Sequence, residues 1–596
     1  MHFKGVFLQP ETKQKNHRKM KNTNPIFSLK NFRSFGEEGA DFELAPITVL
    51  TGCNSAGKSS LVKAILLLSI NNGIGREGTS RHKSISETKN SLFSDMYYPS
   101  HILKVTSREL GLGRFDKVLH RNAKEGLLTL SYKMWSKYLG EELDVTRLFR
   151  ANSNDILNNG ELIEFTIKRL NGTILYDCFP KDLVFKYPRA KKGSLYIEDS
   201  GWYYEWNYDL ISEPYKKYCD IRRYYDWQDF KQLSQYDFGQ RNNDGSIQRI
   251  LKMIKDNPQL LEDYGKRMDE LKKQYGEEVY DYRDKFQDRS PNNDSEYELT
   301  LYALMFRMED YLKNYKSDYD ICQEIIQKIY VEVVNECISP RFIASNTYID
   351  SSSAVVKRLY SIEDENKLSV ALDKVVKRGV IRDTLVKSGI IETGDFVNDW
   401  LTRFDIADKI IIKGTEEGIG IKVFIVKGKE KRLLADEGYG ITQLASLFIQ
   451  IENIISENTR DCYKKNPTDN VIYVEDGSHY QPSYIIIEEP ENHLHPKYQS
   501  LLADMFVEAY RNYNIHFIIE THSEYLIRKL QYLVSEKVNG LVSSDVSLNY
   551  VEKDENGIST NRQIKIREDG SLSEPFGSGF FDESKKWVMK MMKFEY

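Results

Sequence analysis

The stretch "ITVLTGCNSAGKSSLVKAILLL", residues 47 to 68, restricts the fold of this chain more than any other. An apolar run, a glycine-containing loop and an apolar helical pattern follow one another without a break. The loop "GCNSAGKSS" fits G-x-x-x-x-G-K-[ST], and its flanks supply the strand before and the helix after that the pattern requires. Gly52 and Gly57 let the backbone curl so that consecutive N–H groups, those of Asn54, Ser55 and Ala56 among them, face phosphate oxygens. The N-terminus of the helix adds its partial positive charge. Lys58 is placed to hold the β- and γ-phosphates, Ser59 to offer a hydroxyl to Mg²⁺, and Ser60 continues the turn. ATP and Mg²⁺ are the cofactors this loop predicts.

A phosphate loop needs an acidic strand end to hold the metal, and "SYIIIEEPENHLHP", residues 483 to 496, has four apolar residues followed by carboxylates. Successive side chains on a strand point to opposite faces, so Glu488 and Glu489 take different tasks. Glu488 is assigned to Mg²⁺, through water, and Glu489 to the attacking water as general base. His493 and His495, beside Glu491, are spaced as a metal pair, but no third and fourth ligand stands at a recognisable spacing. They are read as structural or subunit-contact histidines. "HFIIETHSE" ends a second apolar strand in Glu520, Thr521, His522 and Ser523, where His522 could reach the γ-phosphate or order the attacking water. In "ADEGYGITQ", Gly438 and Gly440 precede a helix, so amides there could bind phosphate as the first loop does.

The rest of the chain reads as a support for these motifs. "FSLKNFRSF" and "FELAPITVL" read as strands. Asn171-Gly172 and Ser200-Gly201 mark hairpin turns, so the first lobe is expected to be antiparallel past its first helix. Residues 209 to 338 turn rich in Tyr, Lys, Asp and Glu, with Leu261, Tyr264, Met268, Leu271 and Tyr275 at helical spacing, and read as a helical insertion. "GIGIKVFIVKGKEKRLL" reads as strand, and "ITQLASLFIQIENIISE" as a helix with Ile441, Leu444, Leu447, Phe448 and Ile451 on one face. A polar loop is expected around "KKNPTDN". Strands then alternate with helices to a final hairpin near Asn556-Gly557, which implies a largely parallel sheet. The expected fold class is α/β, an ATPase head of P-loop sheet plus antiparallel β lobe. Its divisions are a mobile basic extension (1–24), an N-terminal lobe (25–208), the insertion (209–338) and a C-terminal lobe (339–596).

Composition narrows the partners. The formal charge of −5 is spread over 596 residues, so no global field draws the chain to nucleic acid. The six cysteines show no zinc spacing, as in reduced cytoplasmic proteins. The basic N-terminus lacks the apolar stretch of a secretory signal, and no segment reads as a membrane span. A cytoplasmic protein without membrane attachment is expected.

In order, "GCNSAGKSS", "DEGYGITQ", "IIIEEPENHLHP" and "IIETHSEYL" resemble the ABC-type AAA ATPases of the SMC, RecF and OLD group. The close, "IREDGSLSEPFGSGFFDE", is similar to that of short OLD-like ATPases of bacterial anti-phage systems, such as PtuA of Septu and retron-linked ATPases. The resemblance implies nucleotide held between two heads. Lys58, Ser59, Glu488, Glu489 and His522 would act from one subunit, and the signature Asp436 to Gln443, with Gly438, Tyr439, Gly440 and Gln443, from the other. It also makes Asp116, in "LGLGRFDKVLH", a candidate metal contact where the family usually carries Gln, and leaves Arg341 of "RFIASNTYI" without a clear counterpart. OLD nucleases carry a Toprim domain after the head. Residues 523 to 596, read as a hairpin and a short helix, are not expected to accommodate one. R-x₄-H at Arg511 to His516 and R-x₅-H at Arg114 to His120 are short enough to arise by chance.

These readings predict an ATPase that senses or regulates, acting as a head-to-tail dimer or higher oligomer on a separately encoded effector such as a nuclease, with DNA or RNA as further candidate partners. The alternative is an ATP-driven DNA-binding clamp of the SMC/RecF type in repair or chromosome maintenance. A third reading is a scaffold that binds ATP without turning it over.

Overall fold

The computed structural model describes residues 24–71, 99–180 apart from short gaps, two strands within 194–207, and most of 333–592. The extension expected at 1–24 and the insertion expected at 209–338 lie outside the described residues, except for Asn24, Lys273 and a helical stretch at 333–338.

The centre is a six-stranded sheet of β1 (Ile47–Gly52), β2 (Asn346–Ile349), β3 (Ser483–Glu488), β4 (Ile515–Glu520), β5 (Val546–Lys553) and β6 (Ser559–Ile564). Their order is β2-β3-β4-β1-β5-β6. The first five run parallel; β6 alone is antiparallel, closing a hairpin with β5. Four helices matter for the site: α1 (Lys58–Ile70), α2 (Tyr439–Asp461), α3 (Pro496–Tyr513) and α4 (Glu524–Ser535).

Buried parallel strands are apolar on both faces, and the period of two divides each strand between two cores. Leu50, Tyr484, Ile486 and Ile518 join the cluster that contains Leu61 and Ile65 of α1. Ile47, Val49, Ile485, Ile487, Phe517 and Ile519 join the other, with Phe448 of α2 and Phe506 of α3. By this parity Glu488 and Glu520, the last residues of β3 and β4, belong to the α1 face.

The α1-side core is closed by an antiparallel sheet. Its first six strands, in spatial order, are Ala40–Glu43, Ile26–Lys30, Leu128–Ser136, Glu141–Ala151, Gly160–Arg169 and Ile174–Pro180. The strands on either side of Ser200-Gly201 extend it. The antiparallel lobe is thus as the turn residues predict, and Gly172 takes φ +83° in its turn. On the other side, Tyr360–Ser361, Gly420–Lys427, Lys409–Gly414 and Ile390–Glu392 form a separate antiparallel sheet, with Glu430–Leu433 paired to its second strand. The second half of the chain is therefore less uniformly parallel than its alternation of strands and helices implies.

Two local expectations are corrected. "FELAPITVL" is not one strand: Ala40–Glu43 lies in the antiparallel sheet and Ile47–Gly52 in the central one. Pro46 lacks the N–H needed to continue a ladder, and its carbonyl instead accepts the Phe517 N–H at 2.7 Å. Around "KKNPTDN" the chain is not all loop, since Tyr463–Lys465 and Ile472–Val474 pair as a short hairpin. Among the described residues no helix is long and apolar enough to cross a membrane.

The second core leans on Trp400, 1% exposed, whose ring meets Phe396 and Phe404 and carries the Arg403 guanidinium 4.4 Å from its centroid. Trp400→Ala is expected to cost about 3–5 kcal/mol, measured by denaturant unfolding followed by circular dichroism. Arg403→Ala, which leaves the buried ring in place, should cost far less.

Candidate functional site

The phosphate loop runs from the end of β1 into α1, and its glycines are dictated by neighbours. Gly52 has φ +138°, and a Cβ there would lie 2.0 Å from the Val551 carbonyl oxygen. Gly57 has φ +111°, and a Cβ would lie 2.6 Å from Ser34 Oγ and 2.8 Å from Ser559 Oγ. Only glycine fits either position. Between them Asn54 and Ser55 are exposed and Ala56 is buried, its carbonyl held by the Ser559 hydroxyl. Lys58 is curled onto the loop, donating to the carbonyls of Gly52 (3.2 Å) and Cys53 (3.0 Å). Burial lowers its pKa, while the charges of Glu520, Glu489 and Glu491 oppose the shift. Lys58, Ser59 and Ser60 line a cleft of about 530 Å³ that also contains Arg33, His120 and Glu520.

Glu488 and Glu520 are register partners across β3 and β4, so their carboxylates leave the sheet side by side on the α1 face. Ser59 Oγ donates to Glu520 Oε1 at 3.0 Å. Burial, with further contributions from Glu488 and Glu489, pushes the Glu520 carboxyl up to about 7, against the opposing effects of the Ser59 hydrogen bond and the Lys58 charge. Glu488 is raised too, by burial first, although the Tyr348 hydroxyl bonds to it and Lys63 lies near. Glu520 is the residue that motif reading passed over. A signal was there, because "SYIIIE" and "IHFIIE" end in the same acid at the same register.

Glu489 leaves the strand rather than continuing it. It takes φ +47°, its N–H donates to the Glu520 carbonyl at 2.7 Å, and its side chain accepts from Asn492 at 2.5 Å. Glu491 is buried, and its Oε1 accepts the His522 backbone N–H at 2.7 Å. It thus anchors the segment bearing His522 and does not pair with the nearby histidines. Burial and the Lys58 charge lower the His522 pKa, which favours the neutral imidazole. Ser523 caps α4 through the Leu526 N–H and donates to Gln499.

The remaining residues fall into place around this centre. His495 caps α3, accepting the Lys497 N–H. His493 has φ +59°, and its ring packs edge-on to Tyr439 at 4.6 Å. At the start of α2, Gly438 is exposed with open space at its Cβ position, and Tyr439 is 40% exposed. Gly440 is packed so closely that a Cβ would meet the His493 carbonyl at 2.8 Å. Gln443, in contrast to its expected place facing a second subunit's nucleotide, is 4% exposed and donates to the Glu489 carbonyl of its own chain at 3.0 Å. None of these four lines the phosphate-loop cleft.

Asp116 is not brought to the phosphate loop. It lies in the one-turn helix Phe115–Val118, pairs with Arg114 at 3.2 Å and accepts from Asn158. Its neighbours Lys117 and His120, three apart, face the cleft instead. Arg341 begins the short helix Arg341–Ala344. Arg511 is engaged by Asp545, and the His516 ring packs against Tyr484 and Tyr510. These contacts make Arg511 and His516 structural.

The donor set fits a hydrated divalent cation beside triphosphate. No cluster of three or more His, Cys, Asp or Glu side chains among the described residues could hold a metal ion. Two carboxylates, one hydroxyl and nucleotide oxygens are what Mg²⁺ ordinarily uses. Glu520 Oε2 is buried without a hydrogen-bond partner, an acceptor that such an ion would satisfy.

No curated protein matches the chain. Residues 541–591 match a family described as a protein of unknown function, DUF3696. Among solved structures, the chain is similar to the Smc head bound to the C-winged helix domain of ScpA (9% identity, 91% of this chain, 97% of that chain, TM-score 0.37). It is also similar to the SMC head domain from Thermotoga maritima (10%, 91%, 98%, 0.30) and to the recombination mediator protein RecF of the RecFOR pathway (13%, 91%, 99%, 0.25). These TM-scores are too low to carry a residue-level correspondence. Residues 26–527, well over half of the chain, match the family described as AAA ATPase domain, and the chain belongs to that family.

Proposed function

We propose that this ATPase is the ATP-binding and hydrolysing regulator subunit of a bacterial anti-phage defence complex. Its heads would join head to tail around nucleotide and so restrain or release a separately encoded effector, a nuclease by chemical class. The observation that carries the reading is a half-built site. The phosphate loop, Glu488, Glu489, Glu520 and His522 converge at one end of the sheet, while Gly438 and Tyr439 stand exposed at the start of α2, outside the cleft lining. A second head could complete such a site with its own exposed helix start. The anti-phage setting is supported by the resemblance of the four motifs and of the C-terminal segment to the OLD-like ATPases.

In this reading the loop amides and Lys58 bind the phosphates, and Ser59 with Glu488 holds Mg²⁺. The cation, when bound, neutralises charge developing on the transferred phosphoryl group. Glu489 takes the proton of the attacking water, and neutral His522 hydrogen-bonds at the γ-phosphate position. Gln443 fixes the Glu489 backbone and thereby ties the exposed helix start to the general base.

Glu489→Gln keeps the shape of the site and removes the base. Phosphate release should fall by about 10²–10⁴-fold with ATP binding retained. ATP-dependent dimers should accumulate, read by size-exclusion chromatography with light scattering. Equal and negligible turnover in wild type and variant would remove Glu489 from catalysis and favour a scaffold that holds ATP.

Affinity purification of the trapped variant followed by mass spectrometry should recover the effector in an ATP-dependent manner. Nuclease activity intrinsic to this chain, present in Mg²⁺ without partners and lost only on changes outside the ATP site, would defeat the regulator reading. ATP-dependent, strongly salt-sensitive DNA binding with no protein partner would favour the clamp.

A further inference from the structure

We propose that Glu520 is a third protein ligand of the divalent cation, joining Ser59 and Glu488 in a clamp at the ends of two adjacent parallel strands. The inference rests on reading the cleft as a Mg²⁺–ATP site and adds a residue to it. Three observations on different atoms meet here. Glu520 is 7% exposed and lines the cleft, yet its Oε2 has no hydrogen-bond partner. Its Oε1 accepts the hydroxyl hydrogen of Ser59, the residue already assigned to the metal. Its register partner across the sheet is Glu488.

The valences allow all three groups to act together. A serine hydroxyl has one hydrogen and two lone pairs. Ser59 can therefore keep donating to Glu520 Oε1 while turning a lone pair to the cation, and Oε2 remains free to bind it. Adjacent carboxylates, here one buried and one half-buried, repel each other and are costly to leave unpaired, and a divalent cation answers both. The nearby ammonium of Lys58 is committed to the loop carbonyls and, with nucleotide bound, to phosphate. A site with two carboxylates should also retain a divalent ion without nucleotide better than a site with one.

Glu520→Gln separates a ligand from a mere hydrogen-bond acceptor. The amide oxygen can still accept from Ser59, but the anionic oxygen is gone. Full-length wild type and variant would be titrated with Mn²⁺, free ion being followed by electron paramagnetic resonance, both without nucleotide and with a non-hydrolysable ATP analogue. The clamp predicts Mn²⁺ binding weakened by about tenfold or more in Glu520→Gln. Dissociation constants within about twofold of wild type would overturn it and leave Glu520 as a positioning acceptor for Ser59. Ser59→Ala is the second variant. It keeps both carboxylates and should still bind Mn²⁺ to within about tenfold of wild type; complete loss would equally count against the clamp. Nucleotide binding by wild type in saturating Mg²⁺ keeps the two readings apart. No binding there would defeat the ATP site itself, whereas normal binding with unchanged Mn²⁺ affinity in Glu520→Gln would defeat only the role of Glu520.

Discussion

Five parallel strands that end together, with β1 at the phosphate loop and β3 and β4 at acids, are the constraint on which the site depends. Strand parity sends Ile486 and Ile518 into the core beneath α1 and then sends Glu488 and Glu520 out of the same face two residues later. Shifting either strand by one residue would bury a glutamate among isoleucines and expose an isoleucine. The apolar alternation that holds the sheet together thus also fixes the spacing of the carboxylates. The fold and the site share one register, and neither can change without the other.

Around this frame the two halves of the chain are joined through backbone hydrogen bonds. Thr521 N–H donates to the Leu50 carbonyl at 3.0 Å, tying the end of β4 to β1 immediately before the phosphate loop. On the β5–β6 side, the Ser559 hydroxyl holds the Ala56 carbonyl within that loop, and its own N–H donates to Ser34. Residues widely separated in sequence therefore set the curvature of a nine-residue motif. This is why Gly57 is hemmed in by Ser34 and Ser559, and why the loop needs a glycine there for a tertiary reason as well as a local one.

The sequence made the phosphate loop, the acidic strand end, the parallel sheet and the antiparallel lobe legible, because each rests on local periodicity or on turn residues. It was less legible where tertiary contacts decide. Pro46 was visible, but its neighbours on both sides were apolar enough to read as one strand. Family position points to Asp116, whereas a one-turn helix with Phe115 and Val118 buried turns Lys117 and His120 toward the cleft. Gln443 could have been read from its place in the helix. It lies on the buried stripe with Leu444 and Leu447, so a role inside its own head follows from 3.6-residue periodicity. Glu520 was overshadowed by His522, although its strand repeats the ending of its neighbour.

The peptide unit of Glu489 is where the acidic end of the central sheet and α2 meet. A left-handed backbone costs a non-glycine residue about 1–2 kcal/mol, and here it is retained by contacts on every side. The N–H of Glu489 is given to the end of β4, its carbonyl to Gln443 of α2, and its carboxylate to Asn492. From Asn492 the chain passes to His493, whose carbonyl lies against Gly440 and whose ring lies against the exposed Tyr439. One carbonyl therefore ties the Glu489 backbone to the first turns of α2, and a shift of that peptide is felt there. That connection is short, covalent for part of its length and hydrogen-bonded for the rest, and it runs from the acidic end of the central sheet to the exposed start of α2.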